Sequence, residues 1–384
     1  MSSAAQGGPS DRAGASGFTP HRDTVLFISM SVGIGGPARS LLTVLGNLGD
    51  DLDRVLYAPP GDVRRLARGR GCAEAVLEMP WALRFRRRSR IRAAVRLAGY
   101  ARQHRRHLLA IHANGQTDLN LAALANLVSG VPVVMWAHTS TSSPTAGVLG
   151  WWWRRAGDRV RWLAVSDTAK QTLVDTLGVD ADTVRVVMNP IDPDDVVGPR
   201  ASEPGGTRVA YLGLAALHKG FDLLAPIVRA VGRQDVRFDL YVAPPTPTTP
   251  VELREPWEQV DAASVEYPMS LPGRTTDIAR AYGAADIVLC PSRAESFGRI
   301  AAEAMMNGLP VVASDLPTYR SLVGDSGAGL LFPVDDVAAA AEAITRLADD
   351  PELRREMGER GRAHVQRYHP AALVPQLEAA YRGR

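Results

Sequence analysis

Short apolar runs alternate with amphipathic stretches along most of the chain, and this alternation predicts the fold class. Residues 24–30 are predominantly apolar, as is typical of a parallel strand that is buried on both faces. A glycine-rich turn follows, and apolar positions spaced three or four apart predict a helix over residues 38–48. A second series of the same kind begins at residue 209. Strands that alternate with helices predict an α/β protein with doubly wound, Rossmann-like parallel sheets.

The same patterns give the expected elements in order. Strands are predicted over residues 24–30, 54–58, 108–112, 132–138, 162–165, 184–188, 209–212, 238–242, 287–289 and 311–313. Helices are predicted over residues 38–48, 61–70, 90–106, 118–128, 221–231, 278–282, 300–306 and 337–347, with a last helix near residues 371–381.

Two polar stretches separate parts of these series. Residues 193–206 are rich in proline and glycine and predict an interdomain linker, whereas the proline- and threonine-rich residues 244–256 predict a loop. Two α/β units joined in this way place a crevice at the carboxyl ends of both sheets. The expected divisions are a disordered tail over residues 1–20, an N-terminal domain over 21–195, a C-terminal domain over 205–368, and a helix over 369–384 that packs back on the first domain.

The composition excludes several classes of protein. With 384 residues, the chain has room for two domains of about 100–200 residues each. No run of about 18 apolar residues is present, so no transmembrane helix is expected, and the first residues lack the apolar core of a secretory signal. Cys72 and Cys290 lie in different halves and support neither a disulfide framework nor a cysteine-based zinc site. A cytoplasmic enzyme is therefore expected.

The net charge of +3 hides an uneven distribution. Residues 54–107 contain 15 arginines against three acidic residues, so this segment carries +12 and favours an anionic partner. Within it, residues 81–92 mix arginines with aromatic and aliphatic side chains, which suits the surface of an anionic membrane. An arginine-rich solvated surface fits equally well, so peripheral binding to the inner membrane face and a soluble acceptor both stay open. No nucleic-acid-binding module is recognisable, and no nucleic acid partner is expected.

The most specific motif lies at residues 291–315, where a strand end leads through a glycine-containing turn into a helix. Glu295 stands just before this helix and Glu303 follows eight residues later, about two turns further on. The free N–H groups of a helix start bind anions, so the amides of residues 297–300 predict a diphosphate site. Glu303 could then accept hydrogen bonds from ribose hydroxyls, and Glu295 from sugar hydroxyls. Two solvated surface glutamates would be the alternative, but the apolar neighbours of Glu303 argue against it.

A glycine turn and a histidine add to this motif. Gly35 and Gly36 follow the first strand, where backbone without side chains can approach a phosphate closely. The spacing of the glycines also imitates a dinucleotide fingerprint, but the second strand ends without an acidic residue for a ribose, so NAD is not expected. His138 ends a strand at the expected crevice, where reactive side chains are common.

Residues 291–315 resemble the E-x7-E signature of the retaining GT-B glycosyltransferases of family 4, and most closely that of the bacterial phosphatidylinositol mannosyltransferases. The resemblance extends over residues 24–381 and includes the segments around His138, Asn189 and Lys219. It implies two Rossmann-like domains with the active site between them. It also implies a retaining hexosyl transfer from a nucleoside-diphosphate sugar to a hydroxyl of a lipid headgroup, a cyclitol or a natural-product aglycone, with no metal or other cofactor.

The resemblance assigns roles to individual residues. His138 would lie near the anomeric carbon and stabilise the transition state, and Lys219 would neutralise the leaving diphosphate. Gly35 and Gly36 would approach the donor diphosphate and the acceptor. The expected catalytic residues are His138, Lys219 and Glu295; the expected donor-binding residues are Gly35, Gly36, Lys219, Glu295, Ser296, Phe297, Gly298, Arg299, Ile300 and Glu303.

One position departs from the family pattern. Family members usually carry an arginine after the glycine of the loop in which Leu214 follows Gly213 here. Removing one such group at a developing anion costs on the order of 10²–10³ in rate, by analogy with an oxyanion donor. Either activity is low or another cation substitutes, with Arg299 and His218 as candidates. A nucleotide-sugar 2-epimerase and a catalytically weak nucleotide-sugar-binding subunit therefore remain as alternatives.

Overall fold

The computed structural model describes residues 18–80, 87–138, 157–198, 206–275 and 277–384. Two parallel sheets organise these residues. The seven strands of the first sheet lie in the order β3-β2-β1-β4-β5-β6-β7, and all of its pairs are parallel. Its elements are β1 Thr24–Ile28, α1 Gly36–Asn47, β2 Asp53–Ala58, α2 Asp62–Gly69, β3 Ala75–Glu78, α3 Arg87–Gln103, β4 Leu108–Ala113, α4 Gln116–Ser129, β5 Val133–Ala137, β6 Val160–Ala164, α5 Asp167–Leu177 and β7 Val184–Val186.

The second sheet has six parallel strands in the order β10-β9-β8-β11-β12-β13. A short helical segment over Pro317–Tyr319 continues into a π-helical turn over Arg320–Gly324. The labelled elements are β8 Thr207–Leu212, α6 Leu224–Val231, β9 Val236–Tyr241, α7 Arg254–Glu266, β10 Met269–Ser270, α8 Ile278–Gly283, β11 Ile287–Cys290, α9 Arg299–Met306, β12 Val311–Ser314, β13 Gly329–Phe332, α11 Val337–Asp349, α12 Pro351–His364 and α13 Pro370–Tyr381, with α10 denoting Pro317–Tyr319.

The strands are buried on both faces because helices cover each sheet, and this explains the continuous apolar runs in the sequence. Every residue of β1 and of β5 is buried. In each sheet the strands are added first on one side of the first strand and then on its other side, so the strand order reverses between β1 and β4 and between β8 and β11. Such switch points open crevices at the carboxyl ends of the strands, where α/β proteins bind ligands. The predicted fold class, two Rossmann-like α/β domains, is confirmed.

The last helix, α13, packs on the first sheet's domain rather than on the second. The hydroxyl of Tyr381 lies 3.0 Å from Nδ1 of the buried His112 on β4. Arg161 on β6 donates a hydrogen bond of 2.6 Å to the carbonyl of Ala380. The chain therefore returns from the second domain to the first between α12 and α13.

Several elements differ from the sequence-based expectation. The predicted loop over residues 244–256 is wrong at its end, because a helical turn begins at Val251 and α7 begins at Arg254. The tail is also shorter than predicted, since Phe18 packs against the core of the first domain and Pro20 is buried. The linker starts in packed structure, because Asp192 and Asp195 are buried. Residues 1–17, 81–86, 139–156, 199–205 and 276 lie outside the described residues, and the aromatic part of the basic segment is among them.

Candidate active site

A cavity of about 460 Å³ lies in the cleft between the two domains. The first domain contributes the turn after β1 and the residues that follow β5 and β7. The second domain contributes the loops after β8, β9, β10 and β11 and the start of α9. The cavity therefore lies at the carboxyl ends of both sheets, as the crevice rule requires.

An ion pair occupies the second domain's side of the cavity. Lys219 Nζ lies 2.7 Å from Glu295 Oε2, and both side chains line the cavity. Glu295 also accepts a hydrogen bond of 3.0 Å from the backbone N–H of Ser296. Burial alone would raise the pKa of Glu295, but the ammonium of Lys219 and the backbone N–H groups of Gly298 and Ser296 together lower it. Glu295 is therefore an anion at neutral pH, and it holds the lysine at the cavity wall.

The loop before α9 needs a glycine at one position. Gly298 has a φ of 80°, in the left-handed region that glycine adopts most readily. A Cβ atom there would lie 3.1 Å from both Tyr319 and Leu322. This backbone turn leads into α9 at the cavity, which Phe297, Arg299 and Ile300 line.

Glu303 lies further along α9 and is almost completely buried, with 1% of its surface exposed. Arg299 Nε donates to its Oε1 at 2.6 Å, and the hydroxyl of Tyr282 donates to its Oε2 at 2.8 Å. Arg39 of the first domain approaches the same carboxylate at 3.6 Å and pairs with Asp195 at 2.6 Å. Glu303 is therefore a paired, buried carboxylate, and the alternative of a solvated surface glutamate is wrong.

The first domain's side of the cavity carries His138, which is buried directly after β5. Its Nε2 lies 3.1 Å from Oδ1 of Asn114, while the side-chain amide of Asn114 donates to the carbonyl of Pro37. This arrangement assigns the proton to Nε2 and leaves Nδ1 as an acceptor, and Nδ1 has no partner within the described residues. Burial lowers the pKa of His138 to about 3, and the nearby His112 and Arg299 add to the effect. His138 is therefore a neutral imidazole that can accept a hydrogen bond.

Direct contacts join the two domains around the cavity. Arg299 of α9 donates 2.8 Å to Ser40 Oγ of α1 and 3.1 Å to the carbonyl of Pro190. Ser166, which caps the start of α5, donates its hydroxyl to the carbonyl of Ser296. Within the second domain, the ring of Phe297 also meets Tyr368 edge to face, with ring centroids 5.3 Å apart. The start of α9 is thus held by the first domain as well as by its own.

The structure brings the predicted site residues together at the cavity, and one of them does not line it. All of them line the cavity except Gly298, which shapes the loop behind it. A Cβ atom on Gly35 would meet no atom within 4 Å, so the turn leaves open space at the cavity. Leu214 also lines the cavity and is 54% exposed.

Sequence reasoning missed four side chains that the site uses: Arg39, Asn114, Tyr282 and Arg274. Asn114 directly follows β4, and its position at a strand end could have identified it. Arg39 and Tyr282 lie inside helices, and nothing in the local pattern indicates that they reach Glu303. Arg274 is one of many arginines, and only the fold places it at the cavity.

The described residues contain neither a metal-binding cluster nor a membrane-spanning helix. No three side chains of His, Cys, Asp or Glu in this part of the chain lie close enough together to hold a metal ion. None of the helices that the structure describes is both long and apolar enough to cross a bilayer.

Comparison with known proteins identifies the family. Residues 34–195 match the family Glycosyltransferase Family 4, and residues 204–364 match the family Glycosyl transferases group 1. The chain is 30% identical over 296 residues to the phosphatidyl-myo-inositol mannosyltransferase of Mycobacterium leprae, covering 71% of this chain and 72% of the relative. The chain belongs to the family 4 glycosyltransferases of the GT-B fold. The predicted family is confirmed.

A second relative and a solved structure are also similar to this chain. The chain is 31% identical over 232 residues to the D-inositol 3-phosphate glycosyltransferase of Nocardia farcinica, covering 56% of this chain and 51% of that protein. Among solved structures, Anabaena HepE in complex with UDP and glucose superposes with a TM-score of 0.76 at 20% identity. That match covers 93% of this chain and 98% of HepE, and it shows that the two share the GT-B fold.

Proposed function

We propose that this glycosyltransferase moves a hexosyl group from a nucleoside-diphosphate sugar to an acceptor hydroxyl with retention of configuration. The main support is the interdomain cavity, in which the Lys219–Glu295 pair and the start of α9 face His138 across the cleft. An ammonium and helix amides suit a diphosphate, and a buried neutral imidazole suits an uncharged sugar. The complex of HepE with UDP and glucose supports this donor class by analogy.

In the proposed donor complex, the diphosphate lies between the Gly35–Gly36 turn, Lys219 and the amides of residues 297–300. The ribose hydroxyls reach Glu303, whose carboxylate is held in place by Arg299 and Tyr282. A carboxylate fixed in this way can accept a further hydrogen bond without paying again for its own ordering. The sugar then extends toward Glu295 and Nδ1 of His138.

The transfer step breaks the bond between the anomeric carbon and the diphosphate oxygen and forms a bond from that carbon to the acceptor oxygen. We propose attack from the face that the diphosphate leaves, with a diphosphate oxygen taking the acceptor proton. The products are then a nucleoside diphosphate and a glycoside with the original configuration. Lys219 stabilises the charge that develops on the leaving group, and His138 accepts a hydrogen bond from a sugar hydroxyl in the transition state.

No metal is required in this proposal, because Lys219 and the amides at the start of α9 meet the diphosphate directly. This is testable by direct assay: chelation with EDTA should leave transfer unchanged. Loss of activity on chelation that Mg²⁺ or Mn²⁺ restores would contradict it.

The activity itself is tested by incubating the protein with UDP- and GDP-sugars and candidate acceptors and detecting products by mass spectrometry. The names of the two family 4 relatives point to an inositol-containing acceptor as the first to try. We expect a glycoside or, without acceptor, slow hydrolysis of the donor to free sugar. Nucleotide-sugar binding without transfer or hydrolysis would instead support a binding subunit, and conversion of the donor sugar at C2 would support an epimerase.

The first domain also offers a surface for an anionic lipid acceptor. On α3, Ile91 is 59% exposed and Val95 is 64% exposed. Each is followed directly by an exposed arginine, Arg92 after Ile91 and Arg96 after Val95. This face combines apolar contact with positive charge, at about 1 kcal/mol for each basic residue near an anionic surface. Elsewhere in the basic segment arginines are already paired, for example Arg64 with Glu78 at 3.0 Å.

Co-sedimentation with anionic vesicles at about 0.15 M salt tests the membrane proposal. We expect the protein to bind, and we expect the double variant Arg92→Ser, Arg96→Ser to bind at least several-fold less. The matched control is Arg355→Ser, an exposed arginine of the second domain. If the parent protein stays in the supernatant, the acceptor should be sought among soluble cyclitols and aglycones.

A further inference from the structure

The cationic side chains of the cavity differ in how they are neutralised. Lys219 pairs with Glu295 at 2.7 Å, Arg299 with Glu303 at 2.6 Å, and Arg39 with Asp195 at 2.6 Å. Each of these cations is thus already balanced by a carboxylate. An unpaired cation would therefore add net positive charge to the contacts that Lys219 and the amides of α9 offer to a ligand with two or more negative charges.

Arg274 is the exception among the described residues that line the cavity. It stands in the loop between β10 and α8, and no carboxylate of the described chain lies within ion-pair distance of it. Its guanidinium reaches across the cleft and donates to the carbonyl of Ile34, in the glycine turn of the first domain. A guanidinium that holds only a neutral carbonyl keeps its full charge and four further N–H donors for an anion.

Neither sequence-based candidate for the missing cation fits as well as Arg274. Arg299 is 7% exposed, and its charge is balanced by Glu303 while it also donates to Ser40 and Pro190. Burial lowers the pKa of His218, and Lys219 lowers it further, so His218 is neutral near pH 7. Leu214 contributes an exposed aliphatic side chain to the same cavity.

The position of Arg274 matches the expected place of the diphosphate. An ideal Cβ atom on Gly33 would lie 3.5 Å from Nη1 of Arg274, so the guanidinium lies against the glycine turn. The proposed diphosphate site is bounded by this same turn on one side and by Lys219 on the other. Because Arg274 is exposed and lies in a loop, it can leave the carbonyl of Ile34 without disturbing a buried network.

We propose that Arg274 is the unpaired cation that binds the donor diphosphate in this enzyme and supplies the charge that Leu214 does not. On donor binding it exchanges the carbonyl of Ile34 for phosphate oxygens, so the direct contact across the cleft becomes a contact through the ligand. This inference rests on the proposed function, since it requires a nucleoside-diphosphate donor. It names a donor-binding residue that neither the E-x7-E motif nor the lysine identifies.

Calorimetry on the full chain tests the proposal, with UDP and GDP titrated in parallel and the tighter ligand compared with its own nucleoside. In Arg274→Gln the dissociation constant for the diphosphate should rise about 10-fold, as expected for one charge-assisted contact. The affinity for the nucleoside, measured by competition, should stay unchanged. Arg280→Gln, which removes an exposed arginine of α8 outside the cavity, should behave as the parent does for both ligands.

The outcomes separate the possible failures. An equal loss of affinity for nucleoside and diphosphate would show that Arg274 does not act on the diphosphate specifically, and it would overturn the proposal. Unchanged diphosphate affinity in Arg274→Gln would overturn it as well, while leaving the donor assignment intact. If the parent binds neither UDP nor GDP, the proposed function falls and this inference falls with it. Raising NaCl from about 0.05 M to about 0.5 M should narrow the gap between parent and variant, because screening weakens an exposed contact.

Discussion

The two walls of the cavity use different chemistry. Apart from Arg274, the second domain presents carboxylates and cations bound to each other, Lys219 with Glu295 and Arg299 with Glu303. The first domain presents an open glycine turn and the uncharged side chains of His138 and Asn189, and its one charged contribution, Arg39, is bound to Asp195. Charges can be buried only where they are paired, whereas an imidazole can be buried neutral. We therefore expect changes at Lys219 and Glu303 in the second wall to act on the nucleotide part of the donor, and a change at His138 in the first wall to act on sugar transfer.

The largest effect is expected from Lys219→Met. This change removes the ammonium that the proposal places at the leaving diphosphate, so turnover should fall on the order of 10²–10³-fold, as when one preorganised oxyanion donor is lost. Steady-state kinetics measure the effect. Lys170→Met is the matched control, because it removes the other lysine of the chain, on α5 and away from the cavity. Equal activities of the two variants would remove Lys219 from the mechanism.

His138→Ala should affect turnover far more than donor binding, because its Nδ1 is proposed to act on the sugar in the transition state. A fall in kcat of roughly 10–100-fold with a donor dissociation constant close to that of the parent is expected. His107→Ala, an exposed histidine of the same domain, should leave both values unchanged. Turnover within about twofold of the parent would mean that His138 is a packing residue and has no role in sugar transfer.

Glu303→Gln should weaken donor binding about 10-fold, since ribose hydroxyls would lose a charged acceptor. The side chain keeps its shape, but Arg299 loses its ion pair, and breaking a buried pair can cost about 3–5 kcal/mol of stability. Calorimetry must therefore be run well below the melting temperature of the variant. Glu342→Gln, at an exposed position of α11, is the control. Unchanged donor affinity in a folded Glu303→Gln protein would assign Glu303 to domain packing alone.

The smallest effect is expected from acid, and it acts on the stability of the first domain. Burial lowers the pKa of His112 to about 4 and that of His138 to about 3, while an unfolded histidine titrates near 6.5. Below about pH 6.5 these two histidines are protonated in the unfolded chain but stay neutral in the folded chain. They therefore lower the free energy of unfolding as the pH falls. Asp118 acts in the opposite direction, because burial raises its pKa to about 7.

The histidine contribution is isolated by comparing the parent with His112→Gln. Between about pH 4 and pH 6, the variant should lose less stability on acidification, by up to about 1.4 kcal/mol per pH unit. Urea unfolding at each pH measures the difference. Parallel pH profiles for the two proteins would show that His112 does not stay neutral in the folded first domain.

The sequence predicted the elements whose signal is a local period or an apolar run, and it missed those whose signal is not hydrophobic. Strand β1 and helix α9 follow directly from their apolar positions. Helix α12 was not predicted, because its buried face consists of Met357 and two glycines, and most of its other side chains are charged. A face made of glycine packs closely against a neighbour without leaving a hydrophobic pattern, and the short edge strand β3 is too brief to show one.

The sequence by itself determined the two-domain α/β class, the crevice at the strand ends, and the spacing that puts Glu295 before α9 and Glu303 two turns inside it. These properties depend on local periodicity and on motif spacing, which the chain carries in its order of residues. Only the tertiary structure decided the partners of the charged groups. Arg299 meets Ser40 across 259 positions, and Arg274 meets Ile34 across 240. In a chain with so many arginines, burial and pairing are set by how the two sheets face each other. Among the described residues, no local pattern distinguishes Arg274, which is unpaired at the cavity, from the paired arginines.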